Sequence, residues 1–91
     1  MISEAKIEQA LFRGVKTAGG LCFKFAPVTA GVPDRVVILP GGKVFFVELK
    51  AQGGSFREIQ LVMHEKFLRR GVEVVVLSSI KQVSAWLKEV V

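Results

Sequence analysis

The sequence predicts a single α/β domain in which a central mixed β-sheet is flanked by helices, in the order α-β-β-β-α-β-α. Two features of the chain support this expectation. Segments with helical spacing of apolar residues lie near both ends and in the middle, and short apolar runs bounded by glycine or proline lie between them. Residues 1–91 contain no repeat, low-complexity stretch or linker, and their number suits one domain.

The first helix is expected from about Ser3 to Ala18, because Ser3 is a favourable N-cap residue and Gly19-Gly20 would end the helix. The segment from Leu21 to Ala26 predicts the first strand. Residues 27–33 begin and end with proline and predict a loop.

The next two strands form a predicted hairpin, with Arg35 to Leu39 joined to Val44 to Lys50 through Pro40-Gly41-Gly42. A three-residue turn would pair Leu39 with Lys43 and would place Asp34 opposite Glu48 on the same face. A two-residue turn would put those two carboxylates on opposite faces. Proline cannot donate a ladder hydrogen bond, which favours Pro40 inside the turn and therefore the longer loop.

The second half of the chain predicts a helix, a strand and a final helix. Ser55-Phe56-Arg57-Glu58 has the spacing of a capping box, so we expect a helix from there to about Arg70, ended by Gly71. Val72 to Leu77 is nearly all apolar, which predicts a strand buried on both faces and parallel to its predecessor through a right-handed crossover. A second capping box, Ser79 to Gln82, would open the last helix.

The charge balance favours a polyanionic partner. Thirteen lysines and arginines against eight acidic residues give a formal charge of +5, which suits nucleic acid but also occurs in ordinary basic proteins. No apolar run approaches the roughly 18 residues of a membrane-spanning helix, and the N-terminus lacks a signal-peptide pattern. The single cysteine, Cys22, excludes an internal disulfide. We therefore expect a cytoplasmic protein with no membrane partner.

The most informative charged residues lie at one end of the predicted hairpin. Asp34 precedes one apolar strand, and Glu48 and Lys50 end the next, on the same face because they are two residues apart. Facing carboxylates repel each other, and a magnesium ion, which takes one or two carboxylates together with water and phosphate, would offset that repulsion. Lys50 could orient a water nucleophile and neutralise charge on a phosphate. Any one of these residues could be a solvated strand end, but the three together predict a metal site.

Two segments carry a family resemblance. Gly31-Val32-Pro33-Asp34-Arg35, followed by Phe46-Val47-Glu48-Leu49-Lys50, resembles the Pro-Asp…(Asp/Glu)-X-Lys motif of restriction-endonuclease-like nucleases. The chain is more narrowly similar to the virus-type replication-repair nuclease (VRR-NUC) family. The resemblance extends over almost the whole chain and includes a glutamate in the first helix, Gly19-Gly20, Lys24-Phe25 and a glutamine in the helix after the motif.

The resemblance implies a restriction-endonuclease-like fold and magnesium-dependent hydrolysis of DNA phosphodiester bonds, with Mn²⁺ as a substitute. Asp34 and Glu48 would bind the metal together with the backbone carbonyl of Leu49. Lys50 would be the catalytic lysine and Gln60 an active-site residue. Stand-alone members of the family are similar to Holliday junction resolvases and act as homodimers. The resemblance therefore also implies branched DNA as substrate and a phage or bacterial intracellular setting.

A further acidic residue could serve the metal from the first helix. Glu8 lies at the edge of the apolar side of that helix, and the family's helix glutamate aligns with it. We prefer Glu8 to Glu4 as an outer ligand, direct or through water, because an acid in the first helical turn is already favoured by the helix dipole. A partly exposed boundary glutamate is the alternative.

Lys24, Arg35 and Ser55 are candidate DNA contacts. Lys24 and Arg35 lie near the motif but could simply point to solvent, and Ser55 follows Gly53-Gly54, which a plain strand-to-helix turn also explains. His64 is expected to be an exposed helix residue. Trp86 is expected in the core or in a dimer interface.

The leading hypothesis is a dimeric endonuclease that recognises branched DNA by phosphate contacts and shape, since the chain has no room for a separate sequence-reading domain. A nuclease acting on duplex, flap or single-stranded DNA is the first alternative. The second is a basic DNA-binding module that keeps the fold without catalysis.

Overall fold

The computed structural model describes residues 3–91 and has the predicted order of elements. The helices and strands are α1 (Glu4–Thr17), β1 (Leu21–Lys24), β2 (Arg35–Leu39), β3 (Lys43–Leu49), α2 (Glu58–Arg69), β4 (Val74–Leu77) and α3 (Ile80–Val90). The strands form one mixed sheet in the order β1-β2-β3-β4, antiparallel except for the parallel pair β3 and β4. The predicted α/β class with a central mixed sheet is confirmed.

The turn between β2 and β3 has the predicted three residues, and Leu39 pairs with Lys43. Gly41 and Gly42 both have positive φ, at 89° and 79°, a conformation that glycine adopts without a steric penalty. The same register pairs Arg35 with Val47. Its continuation by one residue places Asp34 opposite Glu48, as the sequence predicted.

One face of the sheet packs against α1 and α3 and forms the main core. Ser3 caps α1 by accepting from the backbone N–H of Lys6, and Ser79 caps α3 by accepting from that of Gln82, so both predicted N-caps are confirmed. Alternation along each strand points every second side chain into this core. The buried apolar residues of this core are Ile7, Leu11, Val15, Val37, Leu39, Val47, Leu49, Leu77 and Val83.

The opposite face of the sheet carries α2, which runs antiparallel to β3. The rings of Phe67 and Phe46 meet edge to face at 5.2 Å, and one and two turns earlier on α2 the side chains of His64 and Gln60 meet Glu48 and Lys50. These three pairs can form side by side because one helical turn of α2 rises about 5.4 Å, which is close to the roughly 6.6 Å that two residues of β3 span. The predicted orientation of Glu48 and Lys50 on one face is therefore confirmed.

The start of α2 differs from the prediction. The helix begins at Glu58, and its N-cap is Arg57 rather than Ser55. The side chain of Gln60 explains the shift, because its Oε1 accepts from the backbone N–H of Arg57 at 2.9 Å. An arginine side chain has no acceptor, so only this half of a capping box is made.

The prediction that Val72 to Leu77 is a strand buried on both faces is wrong. The strand β4 begins at Val74, lies at one edge of the sheet among the described residues, and leaves Val76 39% exposed. Its apolar composition resembles that of a central strand, but among the described residues β4 has a neighbouring strand on one side only, and Val76 is left partly uncovered. No helix within residues 3–91 is long and apolar enough to cross a membrane.

Candidate active site

The two motif carboxylates lie at the same end of the hairpin in different environments. Glu48 is only 6% exposed, whereas the side chain of Asp34 is 34% exposed. Burial raises the pKa of Glu48 above its usual value, and the negative charge of Asp34 raises it further, while Lys50 and Arg35 act in the opposite direction. The repulsion that the sequence predicted between these carboxylates therefore acts on Glu48.

Lys50 is held by two residues of the α2 side. Its Nζ donates to Oε1 of Gln60 at 3.2 Å and lies 5.0 Å from the centre of the Phe56 ring. The same Oε1 accepts from the backbone N–H of Arg57, so one buried amide oxygen joins the lysine to the start of α2. The structure thus brings together Lys50 and Gln60, as the family motif implied.

His64 is not the exposed residue that the sequence suggested, and that prediction is wrong. Its side chain is 16% exposed, and its Nε2 lies 3.6 Å from Oε1 of Glu48. The ring of Phe56 packs against the imidazole edge to face at 5.3 Å. Burial and the charge of Lys50 both lower the pKa of His64. A signal was available, because His64 follows the inward Gln60 by one helical turn.

Arg35 lies inside the protein and binds two of the predicted site carboxylates. Its Nε and Nη2 donate to Oε2 of Glu8 at 2.8 Å and 2.6 Å, and its Nη1 donates to Oδ1 of Asp34 at 2.8 Å. Because its side chain is 3% exposed, it has almost no surface for a phosphate, in contrast to the expected DNA contact. Glu4 is more distant, with Oε2 3.7 Å from Nη2 of Arg35.

The other two expected DNA contacts are accessible. The side chain of Lys24 is 54% exposed, and its Nζ lies 3.8 Å from Oε2 of Glu8. Ser55 is exposed in the segment that precedes α2. Both residues therefore lie where a phosphate could approach.

The glycine of the Gly-Val-Pro-Asp segment has a structural explanation. Gly31 has a φ of 87°, and a Cβ there would lie 2.5 Å from the backbone oxygen of Ile59. The loop before Asp34 can therefore approach the first turn of α2 only with glycine at this position. This contact positions the motif aspartate, Asp34, relative to the helix that carries Gln60.

The donor set suits a hard cation with few protein ligands. Within residues 3–91, no three His, Cys, Asp or Glu side chains are close enough together to hold a metal ion. Magnesium typically takes one or two carboxylates and keeps several waters. Asp34 and Glu48 provide that number, and Oε1 of Glu48 is buried with no hydrogen-bond partner in the described chain. Leu49 ends β3 with its side chain in the core, between Glu48 and Lys50.

The chain is similar to known proteins in sequence and in fold. No family model matches the chain. A phage protein named "Putative nuclease p44", of Acyrthosiphon pisum secondary endosymbiont phage 1, is 44% identical over 80 residues, which cover 87% of this chain and 86% of that protein. A solved VRR-NUC domain superposes with a TM-score of 0.87 at 33% identity and covers 97% of both chains.

The chain belongs to the VRR-NUC family. This agrees with the fold and the resemblance predicted from the sequence. The VRR-NUC match spans nearly the whole described chain, so it includes the hairpin and α2, the two parts that meet at the candidate site. Phe56 and His64 are the residues of this site that the sequence did not single out.

Proposed function

We propose that this VRR-NUC domain is a DNA endonuclease that hydrolyses phosphodiester bonds with a divalent cation, Mg²⁺ in the first place and Mn²⁺ as a substitute. The observation that carries the proposal is the burial of Glu48, a carboxylate only 6% exposed that lies beside Asp34 and Lys50. A buried anion beside a second carboxylate is costly, and a cation would offset that cost.

Asp34, Glu48 and the backbone carbonyl of Leu49 would hold the cation. Bound there, the ion would polarise the scissile phosphate and lower the pKa of a water nucleophile. Arg35 holds the Asp34 carboxylate through Oδ1. Glu8 accepts its hydrogen bonds from Arg35 at Oε2, so its outer role would use the other oxygen, directly or through water.

Lys50 is the proposed catalytic lysine. Its ammonium group is directed by Gln60 and by the Phe56 ring, so it would stabilise charge that develops on the phosphate in the transition state without having to be reoriented. Gln60 would act through this hydrogen bond. Lys24 and Ser55, both accessible, would bind DNA phosphates.

We propose branched DNA, such as a four-way junction, as the substrate, and a homodimer as the active form. The support for a dimer is an apolar surface on the face of the sheet that carries Glu48. Leu21, Phe23 and Val44, 52–55% exposed, lie there beside the half-buried Val36 and Ile38. We call these five residues the open sheet face, since none of the described helices covers it.

A second copy of the chain would bury the open sheet face and place two active sites in one molecule. A twofold dimer presents the same surface from both subunits, so its two sites could cut symmetry-related strands of a junction. The phage origin of the p44 relative supports action in the cytoplasm of a bacterial host.

A panel of DNA shapes tests this function. A four-way junction, a flap, a duplex and a single strand of matched sequence would be incubated at one salt concentration with Mg²⁺, with Mn²⁺ and with EDTA. We expect paired cuts in the junction that require metal and that disappear in Glu48→Ala. Glu65→Ala is the matched control, because Glu65 is an exposed glutamate of α2 paired only with Arg69 among the described residues.

Each alternative has its own outcome. Equal rates on all four shapes would support a general nuclease and contradict selectivity for branched DNA. No cleavage and no metal binding, together with salt-sensitive DNA binding, would support the non-catalytic module. Unchanged cleavage by Glu48→Ala would contradict the assignment of the site.

A further inference from the structure

The pair formed by His64 and Glu48 is the least explained polar contact in the described chain. Nε2 of His64 and Oε1 of Glu48 are both buried, lie 3.6 Å apart, and have no hydrogen-bond partner within residues 3–91. The separation is slightly longer than a hydrogen bond, so a small side-chain movement would close it. Two buried polar atoms that face each other in this way indicate an interaction made in another state of the site.

The chemistry of the two groups defines the direction of that interaction. An ionised carboxylate only accepts hydrogen bonds, whereas an imidazole can carry its proton on the nitrogen that faces an acceptor. Glu48 is ionised when it serves a cation, and a metal-ligating carboxylate is commonly held by a further hydrogen bond at its other oxygen. Nε2 of His64 is the nitrogen that faces Oε1, at a position where Oε1 has no hydrogen-bond partner among residues 3–91.

We propose that His64 is a positioning residue for Glu48: its Nε2–H donates to Oε1 and orients the carboxylate toward the divalent cation. This role deepens the proposed nuclease function and rests on it. His64 is assigned no contact with DNA or with the ion itself, since it acts through Glu48.

The surroundings of His64 favour an orienting role. Phe56 packs edge to face on the imidazole and also lies under the ammonium group of Lys50. The ring of Phe56 therefore limits the rotation of His64 and contacts both His64 and Lys50. It does so without offering a hydrogen bond to the imidazole.

Titration of Mn²⁺ alone into the full chain, followed by calorimetry, tests the proposal without depending on cleavage. His64→Leu removes the donor while keeping an apolar side chain, and His64→Gln keeps an N–H donor at a similar reach. We expect His64→Leu to weaken Mn²⁺ binding by about tenfold and His64→Gln to recover most of the loss. Thermal unfolding in EDTA shows whether each variant keeps its fold.

A positioning role also predicts a split in the kinetics. The turnover number of His64→Leu should fall while the KM for junction DNA stays near that of the wild type, because the histidine does not touch DNA. Mn²⁺ affinity equal to that of the wild type in a folded His64→Leu would overturn the proposal. Equal losses in His64→Leu and His64→Gln would also overturn it, because ring packing would then be the cause.

The same titration separates this proposal from the nuclease function. A wild-type chain that binds no Mn²⁺ and cuts no DNA would contradict both the nuclease function and the role of His64. Wild-type chain that binds Mn²⁺ and loses binding in Glu48→Ala, with His64→Leu unaffected, would remove only the role of His64.

Discussion

Nη2 of Arg35 lies 2.6 Å from Oε2 of Glu8, a contact that joins α1 to β2 beside the core. The same guanidinium binds Asp34, so one buried cation organises the carboxylates at this end of the hairpin. A guanidinium that is only 3% exposed is stable inside a protein only when its N–H groups have hydrogen-bond partners. The arginine after the motif aspartate therefore has a structural role in this chain.

Replacement of Arg35 by methionine should destabilise the fold. The variant leaves Glu8 and Asp34 without their shared donor, and we expect the free energy of unfolding to fall by about 1.5–3 kcal/mol, the range for hydrogen bonds to charged groups. Urea unfolding followed by Trp86 fluorescence measures the change. Arg69→Met is the control, because its pair with Glu65 is exposed on both sides and should contribute less than about 1 kcal/mol. Similar losses in both variants would contradict the role of Arg35.

Substitutions of Gly31 and Gly41 can be compared to test the close approach of the loop before Asp34 to α2. Both have positive φ, so alanine at either site should cost roughly 1–2 kcal/mol of backbone strain. Only at Gly31 would the added Cβ meet another atom, the oxygen of Ile59, while at Gly41 nothing in the described chain lies within 4 Å. We expect Gly31→Ala to melt at a clearly lower temperature than Gly41→Ala. Equal melting temperatures would show that the loop does not depend on this close approach.

Part of the geometry of the candidate site could be predicted from the local sequence. Pro40 cannot pair in a ladder, and this alone favoured the three-residue turn that places Asp34 opposite Glu48. The burial of Arg35 also had a local signal, because Arg35 alternates with Val37 and Leu39 and so shares their buried face.

The remaining features depend on contacts between distant segments. An apolar strand such as β4 has the same sequence pattern at the edge of a sheet as in its centre, because its place in the sheet depends on contacts with distant segments. His64 contacts Glu48, and Phe56 contacts both His64 and Lys50. These contacts form only when α2 packs against the end of β3. The first turn of α2 was misplaced because Gln60, and not Ser55, accepts from the helix start.

The stability of the metal-free protein should depend on the charge of Glu48. Burial raises its pKa above the usual 4.5, so its stabilising contribution is fully present below that pH and is lost as pH rises through the folded-state value. In EDTA, Glu48→Gln should therefore gain stability relative to the wild type as pH increases from 4 to 8. Melting curves at several pH values measure this difference. A difference that stays constant over this range would contradict the assigned cause.

Added Mg²⁺ should reverse part of that difference. The ion stabilises only a fold that binds it, so the wild type should melt higher with Mg²⁺ at pH 8 and Glu48→Gln should respond little. An equal response in both proteins would indicate binding elsewhere.

The open sheet face predicts the oligomeric state. Phe23 is the aromatic residue of this face and is 52% exposed, and its replacement by glutamine should weaken the dimer by at least about tenfold, as expected for a buried aromatic at an interface. Leu68→Gln is the control, because Leu68 is 62% exposed but lies near Glu73 and Val74, at the β4 edge of the sheet and away from β1 and β2. Sedimentation equilibrium measures the dimer affinity of both variants and of the wild type. A monomeric wild type, or a dimer unaffected by Phe23→Gln, would contradict this interface.

The most direct test of the central claim is the single-turnover rate at which Lys50→Met cleaves a four-way junction in Mg²⁺. Lys50 is proposed to stabilise the transition state, so we expect the rate to fall by roughly a hundredfold to a thousandfold while binding of DNA and Mg²⁺ is retained. Lys66→Met, on the exposed side of α2, should cleave like the wild type. Cleavage by Lys50→Met at the wild-type rate would contradict the assignment of this hairpin as the active site.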